Sequence, residues 1–126
     1  MRVRKKKWTD EELASNEKVV INAEDNKGNW AKYFGNENPI FLEIGCGKGK
    51  FISEMSEKYK NINFIALEKE RHVICMATKK VKNIDLDNLA FIVGDANELD
   101  NIFSEKELSR IFINFCDPWE NKKKWA

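Results

Sequence analysis

Four short apolar runs each carry an acid at or just beyond their end. Glu43 lies within residues 40–44, Glu68 follows 63–67, Asp95 follows 89–93, and Asp117 follows 110–115. The first run leads into Gly45-Cys46-Gly47-Lys48-Gly49. Glycines let a backbone turn sharply and approach a ligand without a Cβ in the way. A dinucleotide site asks for GxGxxG, but the third glycine arrives one residue early and Lys50 holds the expected place. A phosphate-cradling GxxxxGK[ST] loop also fails, since no Ser or Thr follows Lys48. Glu43 points the same way. Like charges about 4 Å apart repel by roughly 4 kcal/mol at an effective dielectric near 20, so a carboxylate here disfavours a pyrophosphate. It favours a cation, and S-adenosylmethionine offers a sulfonium and an ammonium with no phosphate. The alternative is a plain tight strand–helix turn with Glu43 exposed on the surface.

Glu68 stands 23 residues beyond Gly45. An acid after the second strand of a nucleotide-binding α/β fold accepts hydrogen bonds from ribose hydroxyls. The alternative is a helix-start acid favoured by the macrodipole, the reading that suits Glu70. In Gly94-Asp95-Ala96-Asn97, Asp95 could accept an adenine amino group, although Gly-Asp is also common turn chemistry. Asn114-Phe115-Cys116-Asp117-Pro118-Trp119 places an acid, a rigid proline and an indole at a strand end. Trp119 could stack on a base, a contact worth about 1–3 kcal/mol, with Asp117 near both methyl donor and acceptor. Alternatively the segment is a strand-terminating turn with Trp119 covering core. Cys46, Cys75 and Cys116 form no CxxC pair and read as reduced packing residues. His72, the only histidine, reads as exposed at a helix start. No zinc set or Ser-His-Asp triad is expected from such an inventory.

The elements that must position these residues alternate. Residues 40–44, 63–67, 89–93 and 110–115 are continuous apolar runs. Between them, Phe51, Ile52, Met55 and Tyr59, then Val73, Ile74, Ala77, Val81 and Ile84, then Leu99, Ile102 and Phe103 recur at helical spacing. Continuous rather than alternating strands predict a parallel sheet covered by helices on both faces. Right-handed crossovers put the glycine turn at the carboxyl edge, where ligands of open α/β sheets bind. Before the first strand, Thr9-x-x-Glu12 is a capping box opening a short helix through Leu13 and Ala14. Residues 16–29 read as irregular loop, and Trp30, Tyr33 and Phe34 as a helical turn stopped by Gly35.

With 126 residues the chain fits a single domain, divided into an N-terminal extension (1–38) and a cofactor-binding βαβ core (39–126). The net charge of +1 hides segregation. Residues 1–7 carry five bases and the last five residues carry three, so the 14 bases between them meet all 21 acids, a net of −7. Basic ends around an acidic middle hint at nucleic acid, or else are solvated tails. No apolar run is longer than that of residues 89–93, far short of the ~20 residues of a membrane span. Thr9-Asp10-Glu11-Glu12 after the basic start is no signal-peptide core.

Taken together these residues resemble the bacterial tRNA (guanine-N7-)-methyltransferase family. The resemblance runs through Met1-Arg2-Val3-Arg4-Lys5-Lys6 with Trp8, Lys27-Gly28-Asn29-Trp30, Phe34-Gly35-Asn36-Glu37-Asn38-Pro39-Ile40, Leu42-Glu43-Ile44-Gly45-Cys46-Gly47-Lys48-Gly49 and the Asp117-Pro118-Trp119 strand end. The glycine loop alone points only to methyltransferases in general; the strand end and the segment before the first strand narrow it. The resemblance implies a Rossmann-like, S-adenosylmethionine-dependent methyltransferase fold. It implies a cytoplasmic enzyme acting on tRNA at N7 of a guanosine in the variable loop, guanosine 46. By it, Glu43, Gly45, Gly47, Glu68, Asp95, Ala96 and Asp117 fall on cofactor-binding positions, Asp117 on the active-site acid, and Trp119, Asn121 and Lys122 on the substrate side. No metal and no membrane are implied.

Two departures stand out. The family continues after Asp-Pro-Trp with Pro and a substrate lysine, where this chain has Glu120 and Asn121 and then Lys122 and Lys123. The family fold has seven strands and only four are legible, so the chain reads as C-terminally truncated. Members of the family are monomers or homodimers; here Ile111, Phe112, Ile113 and Phe115 are expected at an open sheet edge through which the chain associates. Two competing readings are a nucleic-acid methyltransferase acting on an exocyclic amine, and a non-catalytic fragment that binds RNA through its basic ends.

Overall fold

The computed structural model describes residues 11, 13–45, 47 and 49–113. Four parallel strands lie in the order β3-β2-β1-β4: β1 is Ile40–Ile44, β2 Asn63–Glu68, β3 Leu89–Val93 and β4 Arg110–Ile113. The helices are α1 (Trp30–Phe34), α2 (Lys50–Lys58), α3 (Arg71–Val81) and α4 (Leu99–Ile102), with 3-10 turns at Ala23–Asn26 and Ala96–Glu98. The apolar runs become the strands because both of their faces are covered. Phe64, Ala66, Leu89 and Phe91 meet Ile52 of α2 and Ile74, Ala77 and Val81 of α3 on one face. Leu42, Ile65, Leu67, Ala90 and Ile92 meet Ala23, Trp30, Ile102 and Phe103 on the other. Strand order builds outward from β1 to β3 and then jumps back across β1 to β4. That reversal is a topological switch point, outside whose carboxyl ends ligands bind.

The segment before β1 is more ordered than an irregular loop. Val19 bridges Phe91 as a parallel neighbour of β3. Val20 N–H donates to the Phe91 carbonyl (2.9 Å), and Phe91 N–H donates to the Lys18 carbonyl (2.8 Å). The chain then buries Leu13 and Val19 against one face of the sheet and Ala23 and Trp30 against the other. A second anchor is Glu107, whose carboxylate accepts the N–H groups of Gly28 (2.9 Å), Trp30 (3.0 Å) and Ser104 (2.9 Å) and the Ser104 hydroxyl (3.2 Å). Burial by itself would raise the Glu107 pKa; the bonds from Ser104, Trp30 and Gly28 outweigh it and hold the carboxyl below the usual glutamate range. Trp30 is fully buried, and its indole N–H donates to the Ile102 carbonyl (2.9 Å). Gly35 ends α1 in the left-handed conformation, as its position predicts.

Leu13 to Ser15 are helical, while Thr9 and Glu12 of the capping box lie outside the described residues. At the other sheet edge β4 is the outermost strand, with Ile111 and Ile113 48% and 64% exposed. Phe112, on the opposite face of β4, packs against the rings of Phe41 and Phe51. No helix among the described residues is long and apolar enough to cross a membrane.

Candidate cofactor-binding site

The carboxyl ends of β1, β2 and β3 are tied level with one another. Gly45 N–H donates to the Leu67 carbonyl (2.8 Å), and Gly94 N–H donates to the Glu68 carbonyl (3.0 Å). Gly45 leaves β1 with φ +77°, a turn that a side chain would strain. Beyond these ends lies an open cavity of about 320 Å³, lined by Ile44, Gly45, Leu67, Glu68, Lys69, Gly94, Asp95 and Ala96. Its volume falls in the range of small-molecule sites. Four of the residues singled out in the sequence, Gly45, Glu68, Asp95 and Ala96, therefore share one wall system.

Each acid is held by its own turn. One Glu68 oxygen accepts the Glu70 N–H (3.0 Å), which folds the chain from β2 into α3. The Asp95 carboxylate accepts the Asn97 N–H (3.0 Å), while its own N–H donates to the Glu98 carboxylate (3.0 Å). This reciprocal capping box opens the 3-10 turn. Both lining acids are thus tied to their own turns by backbone N–H groups.

Glu43 is only 2% exposed, which overturns the surface-acid alternative. Strand alternation explains why: residue 43 shares the Phe41 face of β1, beneath the α2 and α3 layer, between Ala66 of β2 and Phe112 of β4. It is not among the cavity's lining residues. Gly47 is likewise not a lining residue. Asp117, Trp119, Asn121 and Lys122 lie outside the described residues, as do Cys46 and Lys48. His72 is half-buried rather than exposed, because only two residues separate β2 from α3 and the first turn of that helix starts against the sheet. Cys75 is fully buried among the core residues of α3.

Gly49 supports the site from outside. It enters α2 with φ +80°, and a Cβ there would stand 2.8 Å from the Ala77 Cβ of α3. The glycine thereby allows the amino end of α2 to close against α3. Lys69 and Glu98 were not recognised in the sequence. Lys69 had the signal of adjacency to Glu68, and Glu98 that of the Asp-x-x-Glu capping pattern.

Comparison with known proteins adds independent findings. Residues 37–125 match a protein family described as "Putative methyltransferase". The tRNA (guanine-N(7)-)-methyltransferase of Geobacillus sp. (strain WCH70) is 44% identical over 124 residues, covering 98% of this chain and 56% of that protein. That of Bacillus subtilis (strain 168) is 43% identical, covering 98% and 58%, and that of Clostridioides difficile (strain 630) is 44% identical, covering 100% and 59%. The chain thus spans somewhat more than half the length of these curated relatives. Among solved structures, an antibiotic-related methyltransferase aligns with TM-score 0.59 at 19% identity, covering 78% of this chain and 49% of that one. A Haemonchus contortus phosphoethanolamine N-methyltransferase, solved with S-adenosylhomocysteine, aligns with TM-score 0.54 at 18% identity, covering 68% and 20%. At those identities the likeness is one of fold, the Rossmann-like α/β fold of methyltransferases.

Proposed function

Since this chain belongs to the methyltransferase family that its residues 37–125 match, we propose that it binds S-adenosylmethionine in the cavity beyond β1–β3 and serves methylation of guanine N7 in the variable loop of tRNA. The observation that carries this reading is the cavity itself: Glu68 and Asp95 converge on one pocket at the switch-point edge, each held by backbone N–H groups. The tRNA and the N7 position rest on the names of the curated relatives.

The residues present suit that cofactor. Glu68 offers a carboxylate at the position where ribose hydroxyls are taken. Asp95 offers an acceptor for an exocyclic amine, with Ala96 beside it. Gly45 brings backbone close to the ligand without a side chain, and Gly47 continues that turn with φ +55°. The net negative lining suits a cationic ligand and opposes a pyrophosphate. When bound, the cofactor supplies an activated methyl group on sulfur.

The remaining work belongs to the chain and concerns position rather than proton transfer. Guanine N7 carries a lone pair at neutral pH, so no side chain has to act as base. Holding nucleophile and methyl in line is the main contribution. Asp117, following β4, orients the guanine and balances the positive charge of the product. Trp119 offers a stacking surface, while Asn121 and Lys122 contact the substrate.

Calorimetric titration with S-adenosylmethionine tests the cofactor half. The chain is expected to bind it, and Glu68→Gln and Asp95→Asn are each expected to weaken binding; absence of binding to the unmodified chain refutes the reading. Methyl transfer to tRNA followed by nucleoside analysis tests the other half, with 7-methylguanosine as the expected product. A methyl on an exocyclic amine, or full activity in Asp117→Ala, would count against it.

A further inference from the structure

The turn after β3 supplies Gly94, Asp95 and Ala96 to the cofactor cavity. Glu98, at the end of the same turn, lines instead a second cavity of about 190 Å³ with Val93, Ile102 and the 21–25 segment. The turn's hydrogen bonds include Asp95 N–H to the Glu98 carboxylate (3.0 Å), Asn97 N–H to the Asp95 carboxylate (3.0 Å), Glu98 N–H to the Asp95 carbonyl (2.9 Å) and Gly94 N–H to the Glu68 carbonyl (3.0 Å). Only the first comes from a side chain that does not itself line the cofactor cavity.

We infer that Glu98 is a positioning residue of the cofactor pocket, fixing the Asp95–Ala96 wall by accepting the Asp95 N–H. This rests on the reading that the cavity takes S-adenosylmethionine. Glu98 itself touches the wall and not the ligand. A Cβ built on Gly94 would lie 3.8 Å from the same Glu98 oxygen and 3.1 Å from Leu67 Cδ1. The carboxylate therefore packs over the glycine that starts the turn. Without the acceptor, the Asp95 N–H loses its partner and the Asp95–Ala96 wall loses that restraint. Asp95 keeps its charge but not its place.

The test compares S-adenosylmethionine affinity, by calorimetry, in the unmodified chain and in Glu98→Ala, Glu98→Leu and Glu98→Gln, with thermal unfolding of each. The amide oxygen of Gln still accepts, so Glu98→Gln is expected to bind within about threefold of the unmodified chain. Loss of a bond to a charged acceptor predicts about tenfold weaker binding for Glu98→Ala. Glu98→Leu, which keeps bulk without an acceptor, is expected to match it and replaces it if the alanine variant does not fold. Glu107→Gln is the control, because it loosens the fold at a residue that lines neither cavity and should leave affinity unchanged. Equal affinity in Glu98→Ala and the unmodified chain overturns the inference. So does an affinity loss in Glu107→Gln as large as in Glu98→Ala, which would mark a merely structural role. Failure of the unmodified chain to bind is a different result, and it overturns the cofactor reading together with this one.

Discussion

Replacing Glu107 with alanine removes the acceptor for four donors at once. The Ser104 N–H and hydroxyl bonds, three residues away and part-buried, fix the local turn. The Gly28 N–H is exposed and is re-solvated at small cost. The Trp30 N–H is part-buried, at the first turn of α1, where Asn29 supplies no side-chain cap. A hydrogen bond to a charged acceptor contributes about 1.5–3 kcal/mol when protected, and solvent exposure of the carboxylate discounts that toward the surface range of about 0–1. Counting the Trp30 bond near the low end of the first range and the Gly28 bond in the second gives about 1.5–2.5 kcal/mol for Glu107→Ala. Urea unfolding followed by tryptophan fluorescence measures it. Glu107→Gln keeps an acceptor but no charge and should lose about half as much. The pH dependence gives a second reading. The folded pKa lies below the unfolded one, so the stabilisation is complete above the ordinary glutamate pKa and disappears as pH falls through the lowered value. The glutamine variant should therefore lose less stability than the parent across that acid window. An unchanged midpoint in Glu107→Ala, or parallel acid profiles for parent and glutamine variant, refutes this account.

Three further outcomes follow from the same structure. Gly49→Ala combines a positive φ with a 2.8 Å contact to Ala77; it should cost at least about 1–2 kcal/mol, and adding Ala77→Gly should recover part of the lost thermal stability. Trp30→Phe empties space in a fully buried position and orphans the Ile102 carbonyl, so chemical unfolding should register a loss of about 2–4 kcal/mol. Ile113→Lys places a charge on the exposed edge strand, and light scattering of concentrated solutions should fall while the unfolding midpoint moves by less than about 0.5 kcal/mol equivalent.

What the sequence made legible follows from what each residue answers to. β1 and β3 have the bounds of their apolar runs because both faces of each are buried, so every position carries the signal. Gly45, Glu68, Asp95 and Ala96 converge because parallel topology sends all three strand ends to one edge, which the βαβ pattern already implies. In the N-terminal segment the helical turn Trp30–Phe34 was legible, but the docking of residues 16–29 was not. Val19 meets Phe91 through backbone groups that every residue possesses, and Glu107 recognises Gly28 and Trp30 across 79 and 77 residues. For Glu43 the surface alternative fell because its strand parity places it beneath the α2 and α3 layer. Glu98 carried a readable turn pattern, but that its carboxylate accepts the Asp95 N–H beside a cavity shows only in the fold.

The two anchors of the N-terminal segment set an order of assembly. Val19 needs Phe91, and Gly28 and Trp30 need Glu107. This segment thus cannot complete its docking until some seventy to eighty later residues have been joined. Closing so long a loop has an entropic cost that must be met before its contacts form. During that interval the outer edge of β3 is unguarded. A segment made early is a latecomer of the fold, and its handling during synthesis exposes the chain to mispairing.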